Sequence, residues 1–174
     1  TFLATPKRGV VLAAKSLALL LFGAFYGIVG VIASCGAGAG ALALFGLDTQ
    51  LGDSDTWAMM GRAILALALW AVIGVGLGAL IPNQVAAIVV ILAFTQFVDP
   101  TLRAVVVFAD WAAAVGKFLP GAASDALVGA ASFFSLGTAE ADTLEWWQGG
   151  LLLAALALVL TVVGYVVSWK RDVT

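Results

Sequence analysis

The chain has 174 residues, of which 63% are hydrophobic and 10% charged, with a mean hydropathy of +1.13. Soluble domains carry about 45–50% apolar and about 25% charged residues, and a fold of this size leaves too much surface wet to hide the difference. That excludes a soluble globular enzyme and a disordered chain and leaves an integral membrane protein. Eight basic and ten acidic residues give a net charge of -2, with no basic cluster to meet nucleic acid. There is no histidine, which removes imidazole acid–base chemistry and imidazole metal ligation. The single cysteine, Cys35, can form neither an internal disulfide nor a thiolate cluster. No metal and no cofactor is expected.

A bilayer core of about 30 Å is crossed by about 20 apolar residues in a helix, and the charge-free stretches predict four spans. Residues 1–15 hold Lys7, Arg8 and Lys15 and read as a cytoplasmic lead-in. The first span covers 16–38, with a Gly-rich exit. Within it Ile32-Ala33-Ser34-Cys35 matches a bacterial lipoprotein cleavage box. A mature lipoprotein is polar after its cysteine, whereas this chain stays apolar to Leu47, so the match is set aside. The second span covers 57–81 and the third 84–108. Pro82-Asn83-Gln84 reads as a tight turn between two antiparallel helices.

The third span contains Asp99-Pro100. Proline disfavours α geometry in the residue before it, so two readings follow. Asp99 caps a new helix with Pro100 at its first position, or the span is kinked with Asp99 in its outer half, facing protein or water. The region 99–146 is apolar yet interrupted by Arg103, Asp110, Lys117, Pro120, Gly121, Asp125 and Gly129. It reads as an outer-face region of short helices that lie at, or dip into, the membrane surface. The last span covers 147–169, and 170–174 form a cytoplasmic tail. The fold class is therefore all-α: a polytopic transmembrane helical bundle of about four spans plus short outer-face or re-entrant helices, in a single domain over 1–174.

Orientation follows the basic residues of the short loops. The ends carry Lys7, Arg8, Lys15, Lys170 and Arg171; the opposite side carries Arg62, Arg103 and Lys117. Both termini are placed in the cytoplasm of a cell-membrane protein. Trp57, Trp111, Trp146, Trp147 and Trp169 fall near the proposed interfaces, as an aromatic belt does.

Three small-residue spacings permit close helix approach in lipid: Gly23 with Gly27, Gly36 with Gly40, and Gly74 with Gly78. They argue for a tightly packed bundle or a dimer, although a chain rich in Ala and Gly yields such spacings by chance. The polar residues at membrane depth are Asn83, Gln84, Thr95, Gln96 and Asp99. Thr95 and Asp99 share a helix face. Ionisable groups inside a membrane are functional candidates. No pair of intramembrane charges suggests a proton relay, and no carboxylate pair or nucleophile–base set suggests hydrolysis.

Four segments resemble the type-2 ABC-transporter permeases of actinobacteria-like sequences. Thr5-Pro6-Lys7-Arg8 followed by Val11-Leu12-Ala13-Ala14-Lys15 resembles that family's cytoplasmic segment leading into its third span. Gly76-Leu77-Gly78-Ala79-Leu80 followed by Asn83-Gln84-Val85-Ala86-Ala87 resembles its turn between spans four and five. Leu119-Pro120-Gly121-Ala122-Ala123 resembles its outer segment before the last span, and Arg171-Asp172-Val173-Thr174 its cytoplasmic tail. The family usually has six spans; this chain resembles the last four, so the first two would lie upstream of Thr1, in keeping with a start that is not Met. The resemblance implies a membrane-spanning permease subunit of an ATP-driven exporter. Its partners would be an ABC ATPase subunit, a second permease subunit (as a homo- or heterodimer) and the lipid bilayer, with no nucleic acid. No GxxxxGK[ST] phosphate-binding pattern occurs here, so any ATP hydrolysis would reside in the partner. Thr5, Pro6, Lys7, Arg8 and Lys15 would contact that ATPase, unless the basic residues serve only as topology anchors. Thr95, Gln96 and Asp99 would line the translocation path, and residues 119–134 would form a lid hinged at Pro120 and Gly121. A stand-alone small membrane carrier is the alternative; such a protein shows charges or paired broken helices near the midplane.

Overall fold

The computed structural model describes residues 8–81, 83–105, 116–130 and 144–169. Among them the chain forms five helices and no strand: α1 (Arg8–Leu44), α2 (Ser54–Leu80), α3 (Gln84–Val105), α4 (Pro120–Val128) and α5 (Trp146–Gly164), the last continued by a π turn over Tyr165–Trp169. All but α4 are long and apolar enough to cross a membrane. The protein is an all-α, multi-pass membrane bundle.

Helix α1 is longer than the charge-free stretch predicts. Its 37 residues rise about 55 Å, well beyond a hydrocarbon core of about 30 Å. Nothing between Lys15 and Leu44 breaks it: there is no proline and no charge. The glycines that would weaken a helix in water are tolerated where backbone groups can bond only to one another. The next two helices have clear starts. Asp53 caps α2 by accepting the Asp55 N–H at 3.2 Å, and the indole of Trp57 reaches back to the Leu51 carbonyl at 2.9 Å. Asn83 caps α3, its Oδ1 accepting the N–H groups of Val85 and Ala86 at 3.0 and 3.3 Å. The turn read from the sequence is therefore made by a cap; Pro82 lies outside the described residues.

Helix α2 is the axis of the bundle. On one side α1 crosses it where Gly23 lies over Ala68 and Ala71 and Gly27 lies over Ile64. On the other side α5 crosses it at Gly76 and Gly164. A Cβ on Gly76 would fall 2.8 Å from the backbone of Leu160 and Thr161, and one on Gly164 would fall 2.9 Å from the Gly76 carbonyl. Without an aqueous driving force, such close backbone approach is the main source of helix association in lipid. The short α4 is wedged between α2 and α5. Its Ala123 and Leu127 complete a core with Ala66, Ile73, Leu153 and Ala157. A Cβ on Gly149 would lie 2.9 Å from the Leu127 nitrogen, so α4 rests directly on the α5 backbone.

The start of α1 and the end of α5 share one end of the bundle. Leu12 packs with Val75, Ala79 and Tyr165, and Gly9 faces the Tyr165 ring. The opposite end carries the start of α5, where Arg62 of α2 lies 4.8 Å from the ring centroid of Trp146. Helix α3 stands apart from this core: Ala87 and Asp99 are its only buried residues.

Of the two readings of Asp99-Pro100, the cap is corrected, while Asp99 does lie in the far half of a continuing helix, against protein. Asp99 is not a cap and the helix does not restart there; its φ and ψ of -60° and -51° are helical. The chain passes Pro100 by widening the preceding turn, Phe94–Val98, into a π turn closed by the Asp99 N–H on the Phe94 carbonyl. A proline ring collides with the carbonyl four residues before it in an α-helix. A π turn is one recognised way to interrupt that ladder without ending the helix. Residues 99–105 therefore continue the helix of the third span.

Candidate functional site

Where α3 meets α4 the structure gathers one buried charge, Asp99, and two part-buried ones, Arg103 and Asp125. Asp99 and Arg103 are one helical turn apart on α3, so their side chains stack on one face. Arg103 Nε lies 2.9 Å from Asp99 Oδ2, off the line a hydrogen bond needs. Arg103 Nη1 donates to Asp125 Oδ2 of α4. One guanidinium thus holds two carboxylates, the one on α4 lying 22 residues beyond the arginine in sequence. The Asp99 side chain is 10% exposed, and its Oδ1 is buried with no hydrogen-bond partner among the described residues. Asp99 sits about 22 Å along α3 and Arg103 about 28 Å, at 1.5 Å per residue. Measured from the Asn83 turn, both lie in the far half of the span.

Helix α4 is shaped to receive this pair. Pro120 is in its first turn, where the missing N–H costs nothing. Gly121 faces the cluster: a Cβ there would collide with the Asp99 carboxylate, 2.9 Å from its Cγ, and with the Arg103 guanidinium. Trp70 of α2 donates to Ser124 Oγ at 3.2 Å, beside Asp125. At its other end, Gly129 adopts φ +90° and closes the helix with its N–H on the Asp125 and Ala126 carbonyls. Asp125 is therefore presented from a helix fixed on three sides. The arrangement bears one more negative than positive formal charge. It is a contact between two helices, with one carboxylate oxygen, Asp99 Oδ1, left without a partner among the described residues.

The residues singled out in the sequence are distributed unevenly about this cluster. Asp99 and Gly121 belong to it. Pro120 adjoins it within a packed turn. Thr95 donates to the Ile91 carbonyl at 2.9 Å, and Gln96 is exposed. Lys15 is exposed on α1; Arg8 opens α1; Thr5, Pro6 and Lys7 lie outside the described residues, as does the 131–134 end of the expected lid. Gly23 and Gly27 pack against α2, whereas Gly36, Gly40, Gly74 and Gly78 meet nothing within 4 Å. In the sequence no pair of intramembrane charges suggests a proton relay; the structure pairs Arg103 of the third span with Asp125 of α4. The Asp99–Arg103 half had a readable signal in its i,i+4 spacing; Asp125 had none, because only the placement of α4 brings it there.

A second feature lies at the start of α5. An open cavity of about 600 Å³ is lined by Lys117, Phe118, Trp147, Gln148, Leu151 and others. Among the described residues no group of His, Cys, Asp or Glu could hold a metal ion. Comparison with protein-family models, with curated proteins and with solved structures finds no match to the chain.

Proposed function

We propose that the protein is the membrane-spanning permease subunit of an ATP-driven ABC exporter, forming a translocation path and worked by a separate ATPase subunit. The observation that carries the reading is the order of parts. Two long helices are joined by a capped turn at Asn83. A short buried helix beginning at Pro120 follows, and then a last span that returns to the end where the first began. That order matches the segments that carry the resemblance. The shared end would be cytoplasmic, with Lys7, Arg8, Lys15, Lys170 and Arg171 meeting the ATPase or the lipid headgroups. The path would run beside α3, between this subunit and a second one, and movement of packed helices would open it to each side in turn.

The test is purification of the full-length protein from its native membrane in mild detergent. The reading expects an ATP-hydrolysing subunit to come with it in stoichiometric amount. A chain that is stable, monodisperse and free of any such subunit overturns it.

The Asp99–Arg103–Asp125 cluster favours a second reading, a stand-alone carrier, because charges held at membrane depth are a feature of ion-coupled transport. Purified chain reconstituted alone in liposomes separates the two. Solute flux driven by an ion gradient, with no ATPase present, supports the carrier.

A further inference from the structure

Helix α3 is the least supported span of the bundle. It contributes Ala87 and Asp99 to the buried interior, while Val85, Ile88, Val89, Val90, Leu92 and Phe97 are exposed. Among the described residues two attachments stand out. At one end the chain itself ties it to α2 through Ile81 and Asn83, with Ile81 already in extended backbone. Near the other end the guanidinium of Arg103 reaches Asp125 on α4. Helix α4 is firm by contrast, since Ala123 and Leu127 are 0% and 1% exposed and Trp70 is bonded to its Ser124. A rigid rod fixed by a short turn at one end and an ion pair at the other has one obvious freedom: it pivots when the ion pair opens. The π turn over Phe94–Val98 lies between the two attachments.

The chemistry of the contact suits a reversible fastening better than a permanent one. Arg103 pairs with Asp99 on its own helix, so releasing Asp125 does not leave the guanidinium without a counter-charge. Asp125, with its side chain 24% exposed, is close enough to the surface to be solvated once released. The guanidinium therefore keeps a counter-charge in both states, which a single isolated pair across the interface would not allow.

We propose that Arg103 and Asp125 form an electrostatic latch that pins the far half of α3 to α4, and that opening it swings α3 outward about the turn at residues 81–83. This goes beyond the transport reading and does not depend on whether ATP or an ion gradient drives the protein.

The experiment uses spin-label distances in full-length protein reconstituted in lipid, with Cys35 replaced by serine. One labelled pair, L102C with L151C, spans α3 and α5 at the latch end. A second, V85C with V163C, spans them at the turn end; all four positions are exposed. In Arg103→Gln the latch-end pair should lengthen or broaden by about one helical turn, ~5 Å, while the turn-end pair stays as in the parent. Asp125→Asn should act in the same way from the other side, and Arg103→Lys should fall between. The charge-swapped double variant R103D/D125R, which again sets one arginine against two carboxylates, should restore the parent distances. Unchanged latch-end distances in both folded single variants overturn the proposal. So does equal lengthening at both ends, since that is loosening of the whole helix. If Arg103→Gln does not fold, Asp125→Asn and the swap decide the matter alone.

Discussion

Two contacts of this bundle are built on opposite principles. Helices α2 and α5 meet at Gly76 and Gly164, where each glycine lies against the other helix's backbone. Helices α3 and α4 meet through a guanidinium between two carboxylates, over a glycine. The first contact is dry, short-ranged and satisfied only at one separation. The second is longer-ranged and can be broken without leaving its arginine unpaired. A membrane protein that must hold its frame and still move has reason to use both: close packing where the frame is fixed, charge where a helix must let go.

The sharpest way to break the comparison is to remove the arginine. Arg103→Gln leaves Asp99 and Asp125 facing one another with no cation. A loss of about 2–3 kcal/mol is expected from removing the charged donor of a part-buried pair, read as a drop in reversible unfolding stability in lipid or detergent. Replacing all three groups with apolar side chains, in D99L/R103M/D125L, should recover most of that loss, because the desolvation of the charges disappears along with their attraction. Recovery of stability together with loss of the α3 movement would separate the latch from simple structural support.

The dry seam should respond to size rather than charge. Gly76→Val places a branched side chain where even a Cβ has no room, and overpacking of about 1–3 kcal/mol is expected, measured in the same unfolding assay. The charge-conserving changes at the latch should leave this seam untouched. A smaller effect belongs to Trp70→Phe, which keeps the ring and removes the donor to Ser124. About 1 kcal/mol should be lost with that hydrogen bond, and the latch-end distance should broaden slightly as α4 loosens. The smallest effect is expected at Gly36→Ala and Gly74→Ala, whose glycines touch nothing within 4 Å. Changes within about 0.5 kcal/mol are expected there for the chain's own stability. A markedly larger change would show that another helix covers those glycines in the assembled protein.

The fold was more legible than the site, and particular residues show why. The spans are written in the absence of charge, since lipid demands long unbroken apolar helices. Asn83 announced the turn because an amide that caps a helix does so within its own neighbourhood. At Asp99-Pro100 the cap reading failed because the local rule, that proline ends a helix, gave way to a π turn inside an otherwise apolar span. Of the three glycine spacings, Gly23 with Gly27 is a contact, whereas the α2–α5 seam runs through Gly76, which no spacing distinguished from Gly74 and Gly78. Which face of α2 meets α5 depends on how both helices are rotated, and the Ala/Gly-rich sequence is nearly the same all round.

By itself, then, the sequence determined that this is a bundle of membrane-crossing helices with its described ends together, because hydropathy, length and caps act over a few residues. Only the tertiary structure decided that α4 inserts between α2 and α5, that Gly76 and Gly164 form the seam, and that Arg103 reaches Asp125. Each of these depends on bringing together segments far apart in the chain, where the energy lies in matching shapes and charges that no single segment contains.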